Sequence, residues 1–470
     1  MVTLVFSLLT TRILSQHFSI HDYGTYSQII LVTSTVSSLT IFGMVDGVNY
    51  FFCKEANAEK RDSYISTIFS LQCIVSLIAS VIVLSCTVPI SNYFNNSDIK
   101  GLIIFAAILP VMQNMISLLQ IMFIAIGKAK HIGVRNLLVS ISKLIAIVLA
   151  CYLFNNVVFI LICQLILDVA QVLYFAVSLN KKGCGVKTLR LDRSLIKEIF
   201  KYCIPMAMFT VIKSLNKDCD KYVVAAFTNT ETLAIYTNAS KQLPFDIIMT
   251  SFCTVLLPYI TRFIAQKDFV RTRTVYKSFL ELSYICTTVL AFAAICTAPE
   301  LMSFLYSDKY ISGLNIFIVY IIVDILSVLN ITLILSAAGK TKSIMCISAG
   351  AFVLNLVLNI AFYHLFDLIG PAIATLVVTT IQGVIMLSFG AKEMGTNILE
   401  MFNKRFAFLF ILELVTMGII TYGARLLFLK LSLPSFVILC MCCFVYVSPL
   451  VLLNFKRLKN NIKVINSCKA

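Results

Sequence analysis

Charge is scarce in this chain. Of its 470 residues, 13% are Asp, Glu, Lys or Arg, about half the share of a soluble protein. That deficit excludes a soluble enzyme and a disordered chain. Long loops are scarce on one side as well, so there is no room there for a catalytic domain. The four histidines, His17, His21, His131 and His364, are too scattered for a metal set. The 16 cysteines lie mostly inside apolar runs, for example Cys73, Cys163 and Cys286, and almost none fall in short polar loops. A secreted disulfide scaffold is therefore excluded. Cys440, Cys442 and Cys443 cluster, but no His or carboxylate stands near them, and they read as reduced thiols. Gly339-Lys340-Thr341 resembles the end of a phosphate-binding loop. Position 334 is Ile, however, and no strand precedes it, so no nucleotide site and no cofactor is expected. A basic leader and a small-residue cleavage site are missing, and Met1 to Phe18 reads as a first span that begins almost without a leader.

Apolar residues make up 59% of the chain, enough for roughly fourteen membrane spans of about 20 residues each. Fourteen apolar runs are found, at about 1–17, 23–52, 64–89, 99–126, 137–155, 157–179, 202–226, 233–264, 278–299, 311–338, 343–366, 368–390, 406–427 and 433–454. Spans in hydrocarbon must be helical, so the expected fold class is all-α, a polytopic membrane protein of fourteen transmembrane helices. With the N-terminus in the cytoplasm, the inside segments hold 28 Lys and Arg, and the outside loops hold three, Lys100, Lys309 and Lys430. The asymmetry predicts that both termini are cytoplasmic and that the net charge of +16 reflects topology, not nucleic-acid binding. The basic stretch 180–201 reads as a solvated linker near anionic lipid.

The chain repeats itself. At an offset of 210, Tyr26 matches Tyr236, Pro89 matches Pro299, and Ser97-Asp98 matches Ser307-Asp308. At an offset of 212, Gly101-Leu102 matches Gly313-Leu314, and Gly127-Lys128 matches Gly339-Lys340. Each repeat holds six spans. An even number preserves orientation, so the halves are expected to be parallel, with a substrate path between them, as in transporters. The expected organisation is an N-terminal six-helix bundle (1–180), a basic linker (181–201), a second six-helix bundle (202–392), and an extra helix pair with a basic tail (393–470).

Ionisable groups inside spans are costly and usually functional. Lys213, Lys217 and Lys221 are spaced by four in the seventh span and so share one helix face, which Asp220 joins. Together with Arg12 and Lys241 they predict a cationic central cavity. Asp220 and Lys217 have the spacing of an intrahelical pair. Lys143 and Arg425, near span ends, are expected to snorkel. Asp46, Asp168, Asp246 and Asp324 serve either ion coupling or pairing with the basic groups, and the sequence leaves both open. Cationic walls suit phosphates. The long second and eighth spans carry Gly43, Gly47, Pro244 and Pro258, which allow bends. Asp218-Cys219-Asp220 has the D-x-D form of sugar-nucleotide transferases, but it sits mid-span among lysines.

Thr11-Arg12-Ile13-Leu14-Ser15, followed by Asp22-Tyr23-Gly24-Thr25-Tyr26-Ser27, resembles polysaccharide biosynthesis transporters of the Wzx O-antigen flippase type. The same superfamily holds multidrug MATE antiporters and the lipid II flippase. Asp220-Lys221-Tyr222 and Leu233-Ala234-Ile235-Tyr236 resemble the second-half versions. The resemblance implies two six-helix bundles and movement of an undecaprenyl-diphosphate-linked oligosaccharide across the bacterial inner membrane. It implies no catalysis, and it implies a cation in the first span, which Arg12 matches. Membrane lipids, a coupling proton or sodium ion, and other polysaccharide assembly proteins are the expected partners. A cation-coupled drug exporter on the same fold is the alternative. A membrane glycosyltransferase or polymerase is disfavoured by the short outside loops.

Overall fold

The computed structural model describes residues 2–54, 57–126, 129–154, 156–181, 190–243, 245 and 247–466. Helix dominates, and the chain divides into two compact units, Met1–Ile235 and Tyr236–Ala470. Many large apolar side chains are exposed mid-helix, among them Leu77, Val81, Leu138, Phe408 and Leu452, at 60–75%. Such a surface is stable only against lipid tails. This is a multi-pass membrane protein.

The first unit opens with α1 (Val2–His17), α2 (Ile20–Thr40), α3 (Met44–Lys54), α4 (Ala58–Ser85) and α5 (Thr87–Tyr93). It continues with α6 (Ile99–Ala125), α7 (Ala129–Leu149), α8 (Val157–Lys181) and α9 (Arg193–Phe227). Its core is built by Met44, Phe51, Ile68, Leu119, Phe123, Phe175 and Ile199, from α3, α4, α6, α8 and α9. Side-chain caps start several helices. Ser19 accepts from the Asp22 N–H, Asn57 from Glu59 and Lys60, and Asp192 from Ser194.

α10 (Thr230–Ala239) spans the division between units. The second unit then holds α11 (Ile247–Ala265), α12 (Phe269–Cys296), α13 (Ala298–Tyr306), α14 (Leu314–Ser327) and α15 (Leu333–Ala337). It ends with α16 (Thr341–Phe366), α17 (Gly370–Glu393), α18 (Ile398–Met401), α19 (Lys404–Lys430) and α20 (Ser435–Asn466). Leu256, Tyr276, Phe279, Ile334 and Leu387 form one cluster. Val289, Phe410, Leu414, Tyr446 and Leu450 join α19 and α20 to α12 in another.

Among the described residues, helix falls within each of the fourteen apolar runs. Among the described residues nine helices, or ten with one bent pair, are long and apolar enough to cross a membrane. The difference lies in short, broken or charged segments, since α1 has 16 residues and α9 carries five charges between Lys213 and Lys221, and in Thr341–Glu393, which counts once but holds both α16 and α17. Fourteen crossings therefore remain part of the proposal below.

The two long spans are broken. α2 and α3 meet at a bend of 42°. Gly43 there has φ +68°, and a Cβ on it would meet the Cys203 carbonyl oxygen at 2.4 Å. The second glycine, Gly47, presses on the Cys203 Sγ, 2.7 Å from its own built Cβ. The eighth span, expected as one long run over 233–264, is instead α10 and α11. α10 ends at Ala239, and beyond it the Leu243 N–H donates to Asp324 Oδ2 (3.0 Å) and not to a carbonyl one turn back. Pro258 sits inside α11 without interrupting it, and Pro244 lies outside the described residues.

Gly43→Ala combines an unfavourable left-handed dihedral with a clash, and should lower stability by about 2–4 kcal/mol. Thermal melting in detergent measures this. The N-cap Asp192 lies outside the membrane-spanning segments, and the Ser194 hydroxyl and N–H hold its carboxyl below the usual range. Its stabilisation is present above the unfolded value of about 4 and is lost as pH falls through the lower folded value. Asp192→Asn should remove that part of the acid-induced loss of stability.

Candidate functional site

α9 packs on α2, α3 and α4. Its seam with α2 is polar. Ser214 Oγ donates to Ser38 Oγ at 2.7 Å. Tyr222 Oη lies 2.6 Å from Thr35 Oγ1 and donates to the Leu31 carbonyl at 3.3 Å. Tyr93 Oη donates to the Tyr222 carbonyl at 2.6 Å. Ser214, Asp218 and Tyr222 are spaced by four and form one stripe. Lys213, Lys217 and Lys221 form the next, one residue or 100° round. Hydrogen bonds that clamp the first stripe to α2 thus aim the lysine stripe away from the seam.

Lys213 and Lys217 are exposed. An ammonium group at mid-helix depth must meet water or an anion, because hydrocarbon offers neither. Lys221 is half-buried and forms an ion pair with Asp218 at 2.5 Å. The pairing therefore runs from Lys221 to Asp218, not from Lys217 to Asp220. Asp220 shares the azimuth of the lysines but is 2% exposed. Burial changes along α9: from Asp218 to Ala225 the helix is mostly covered, and the described side chains from Met208 to Lys217 are half-buried or exposed. Depth, not azimuth, separates Asp220 from Lys213.

The other predicted residues scatter. Arg12 is half-buried on α1, which packs on α7 and α2, so α2 touches both its helix and α9. Asp46 is half-buried in the first turn of α3, beside Tyr202 and Cys203 of α9. Asp168 on α8 accepts from Gln171 (3.1 Å) and lies within electrostatic reach of Lys143 and Arg135. Arg135 bridges Gln171 and Gln120 at 2.7 and 2.8 Å. In the second unit, Lys241 is half-buried in the break after α10, and Asp324 holds that break through Leu243. Asp246 lies outside the described residues.

The snorkelling expectation fails for Arg425, which pairs with Glu300 of α13 at 2.8 Å, with 16% and 6% of the two side chains exposed. Lys143 is half-buried on α7, within electrostatic reach of Asp168 on α8. A carboxylate from a distant helix was within reach of Arg425, and pairing replaced a route to water. Glu413 is paired too, with Arg457 at 3.2 Å and Asn454 at 2.7 Å. Arg425→Met strands the buried Glu300 carboxylate and should cost about 3–5 kcal/mol. The double variant Arg425→Met/Glu300→Gln should regain most of it, as a double-mutant cycle of melting in detergent would show.

Comparison with solved structures places this fold. A lipid II flippase MurJ in an inward closed conformation matches with a TM-score of 0.76 at 17% identity, over 97% of each chain. An inward-facing multidrug resistance MATE family transporter of the MOP superfamily matches at 0.68 and 12% identity, over 84% of this chain and 94% of its own. A MOP superfamily transporter from Pyrococcus furiosus matches at 0.56 and 14%, over 84% and 92%. No curated protein sequence matches the chain. At these identities the likeness is one of fold, that of flippases and multidrug transporters. The model of one sequence family, described as polysaccharide biosynthesis protein, matches residues 10–314, well over half of the chain. By that match, the chain belongs to the polysaccharide biosynthesis protein family.

Proposed function

We propose that the protein flips an undecaprenyl-diphosphate-linked oligosaccharide, such as an O-antigen repeat unit, from the inner to the outer leaflet of a bacterial cytoplasmic membrane. The observation that carries this reading is the pair Lys213 and Lys217, exposed at mid-depth on α9. A diphosphate in bare hydrocarbon is prohibitively costly. Lysines fixed in a wet cavity replace the water that the phosphates lose, and ammonium-to-phosphate hydrogen bonds are among the strong ones. Arg12, Lys221 and Lys241 extend the cationic lining in this reading, and Asp46, Asp168, Asp220, Asp246 and Asp324 supply ion coupling or balance the charge.

The chemistry required of the chain is modest. No covalent bond changes, so no catalytic residue is needed. Fourteen crossings in a six-plus-six-plus-two arrangement, with both termini in the cytoplasm, alternate access to the lining. A proton or sodium gradient drives the cycle. Membership of the polysaccharide family favours a lipid-linked saccharide over a cationic drug, and a basic lining repels the latter.

Proteoliposomes loaded with fluorescent lipid-linked oligosaccharide test the reading. Lys213→Ala and Lys217→Ala should each slow flipping about tenfold, since a charge-assisted hydrogen bond contributes about 1.5–3 kcal/mol. Melting should stay within about 0.5 kcal/mol of the parent, because both side chains are exposed. Normal flipping by Lys213→Ala, Lys217→Ala and Arg12→Ala alike would overturn the mechanism.

A further inference from the structure

The first unit holds a second preformed feature. A cavity of about 580 Å³ opens where α1 meets α2, where α5 gives way to α6, and where the chain enters α8. Buried Phe18 and Leu102 line its apolar side; exposed Asp22, Asp98 and Asn156 line its polar side. Its volume falls inside the range of small-molecule sites, about 300–1,000 Å³.

The polar groups are held in place by their own partners. Ser19 Oγ donates to Asp22 Oδ2 at 2.6 Å. His21 Nε2 and Asp98 Oδ2 lie 3.2 Å apart. The Val158 N–H donates to Asn156 Oδ1 at 2.9 Å. A second oxygen on each carboxylate and the NH₂ of Asn156 are what these bonds leave for a ligand. Acceptors and a donor on one side, with an aromatic ring and aliphatic carbon on the other, suit a ring that has hydroxyl edges and a C–H face. Two carboxylates repel an anion. A bare metal ion needs a tight oxygen cage, which a cavity of this size does not provide.

Gly101 sits in the first turn of α6 and lines the same space. A Cβ built there meets no heavy atom within 4 Å. Glycine is a poor helix former, so neither helix propensity nor packing calls for it. Its effect is to keep the cavity open.

We infer that this cavity is a saccharide-binding site of the N-terminal unit, which takes sugar residues of the transported lipid-linked substrate. The inference leans on the flippase reading for the source of the sugar, and on the cavity for the site.

The test uses the full chain in lipid nanodiscs, free of sugar-based detergent. The probes are maltotriose, N,N′-diacetylchitobiose and a lipid-free O-antigen hydrolysate, followed by saturation-transfer NMR. At least one should receive saturation on its ring protons. Gly101→Leu adds a side chain whose Cβ meets no heavy atom within 4 Å, and it should weaken that binding at least tenfold with melting unchanged or raised. Asp98→Asn should weaken it several-fold. Silence from all three probes, or parent-like binding by Gly101→Leu, would overturn the proposal. Sugar binding without flipping would count against the flippase reading alone, and flipping without sugar binding would count against this site alone.

Discussion

A peptide group in hydrocarbon has no water to bond, and this constraint governs the whole molecule. It makes each apolar run a helix. It also dictates what happens where a helix must stop. At the end of α2, Gln72 donates to the Thr40 carbonyl (3.0 Å). At the end of α10, Asp324 accepts the Leu243 N–H. Side chains thus take over the partners that the helix gives up, and the two longest spans can bend in the apolar layer. Those bends place residues: the first seats Gly43 and Gly47 against Cys203, and so brings α3 onto α9.

The same desolvation cost sorts the charges. Arg425 with Glu300, Arg457 with Glu413, and Lys221 with Asp218 are paired side chain to side chain. A pair as buried as Arg425 and Glu300 contributes little net stability, but losing one partner is expensive. Such pairs hold helices together: α19 to α13, and α19 to α20. Against that background, two exposed lysines at adjacent turns of one helix are the exception. Their exposure, and not the number of basic residues, makes α9 the helix on which the transport reading turns.

Much of this was readable in the residues. The helical class followed from apolar run lengths, and the bend in the second span from Gly43. The spacing of Lys213, Lys217 and Lys221 by four predicted one face, and α9 is helical throughout that stretch. Other features were not readable. Asp220 shares that face by periodicity yet is buried, because burial depends on what covers a given depth of the helix. Arg425 was expected to reach for water, because the Glu300 that captures it lies 125 residues away in sequence. The cavity beside Gly101 gave no sequence signal beyond a glycine, since its walls come from separate helix ends.

Sequence alone determined the solvent of this protein, its helical class and the periodicity that gathers three lysines on one stripe. These are local properties: composition and run length settle the cost of leaving water, and 3.6 residues per turn settles azimuth. Tertiary structure alone decided which charges find partners, which stay exposed, where helices break and where open space remains. Those outcomes depend on which helices pack together and at what depth, and no window along the chain contains that information.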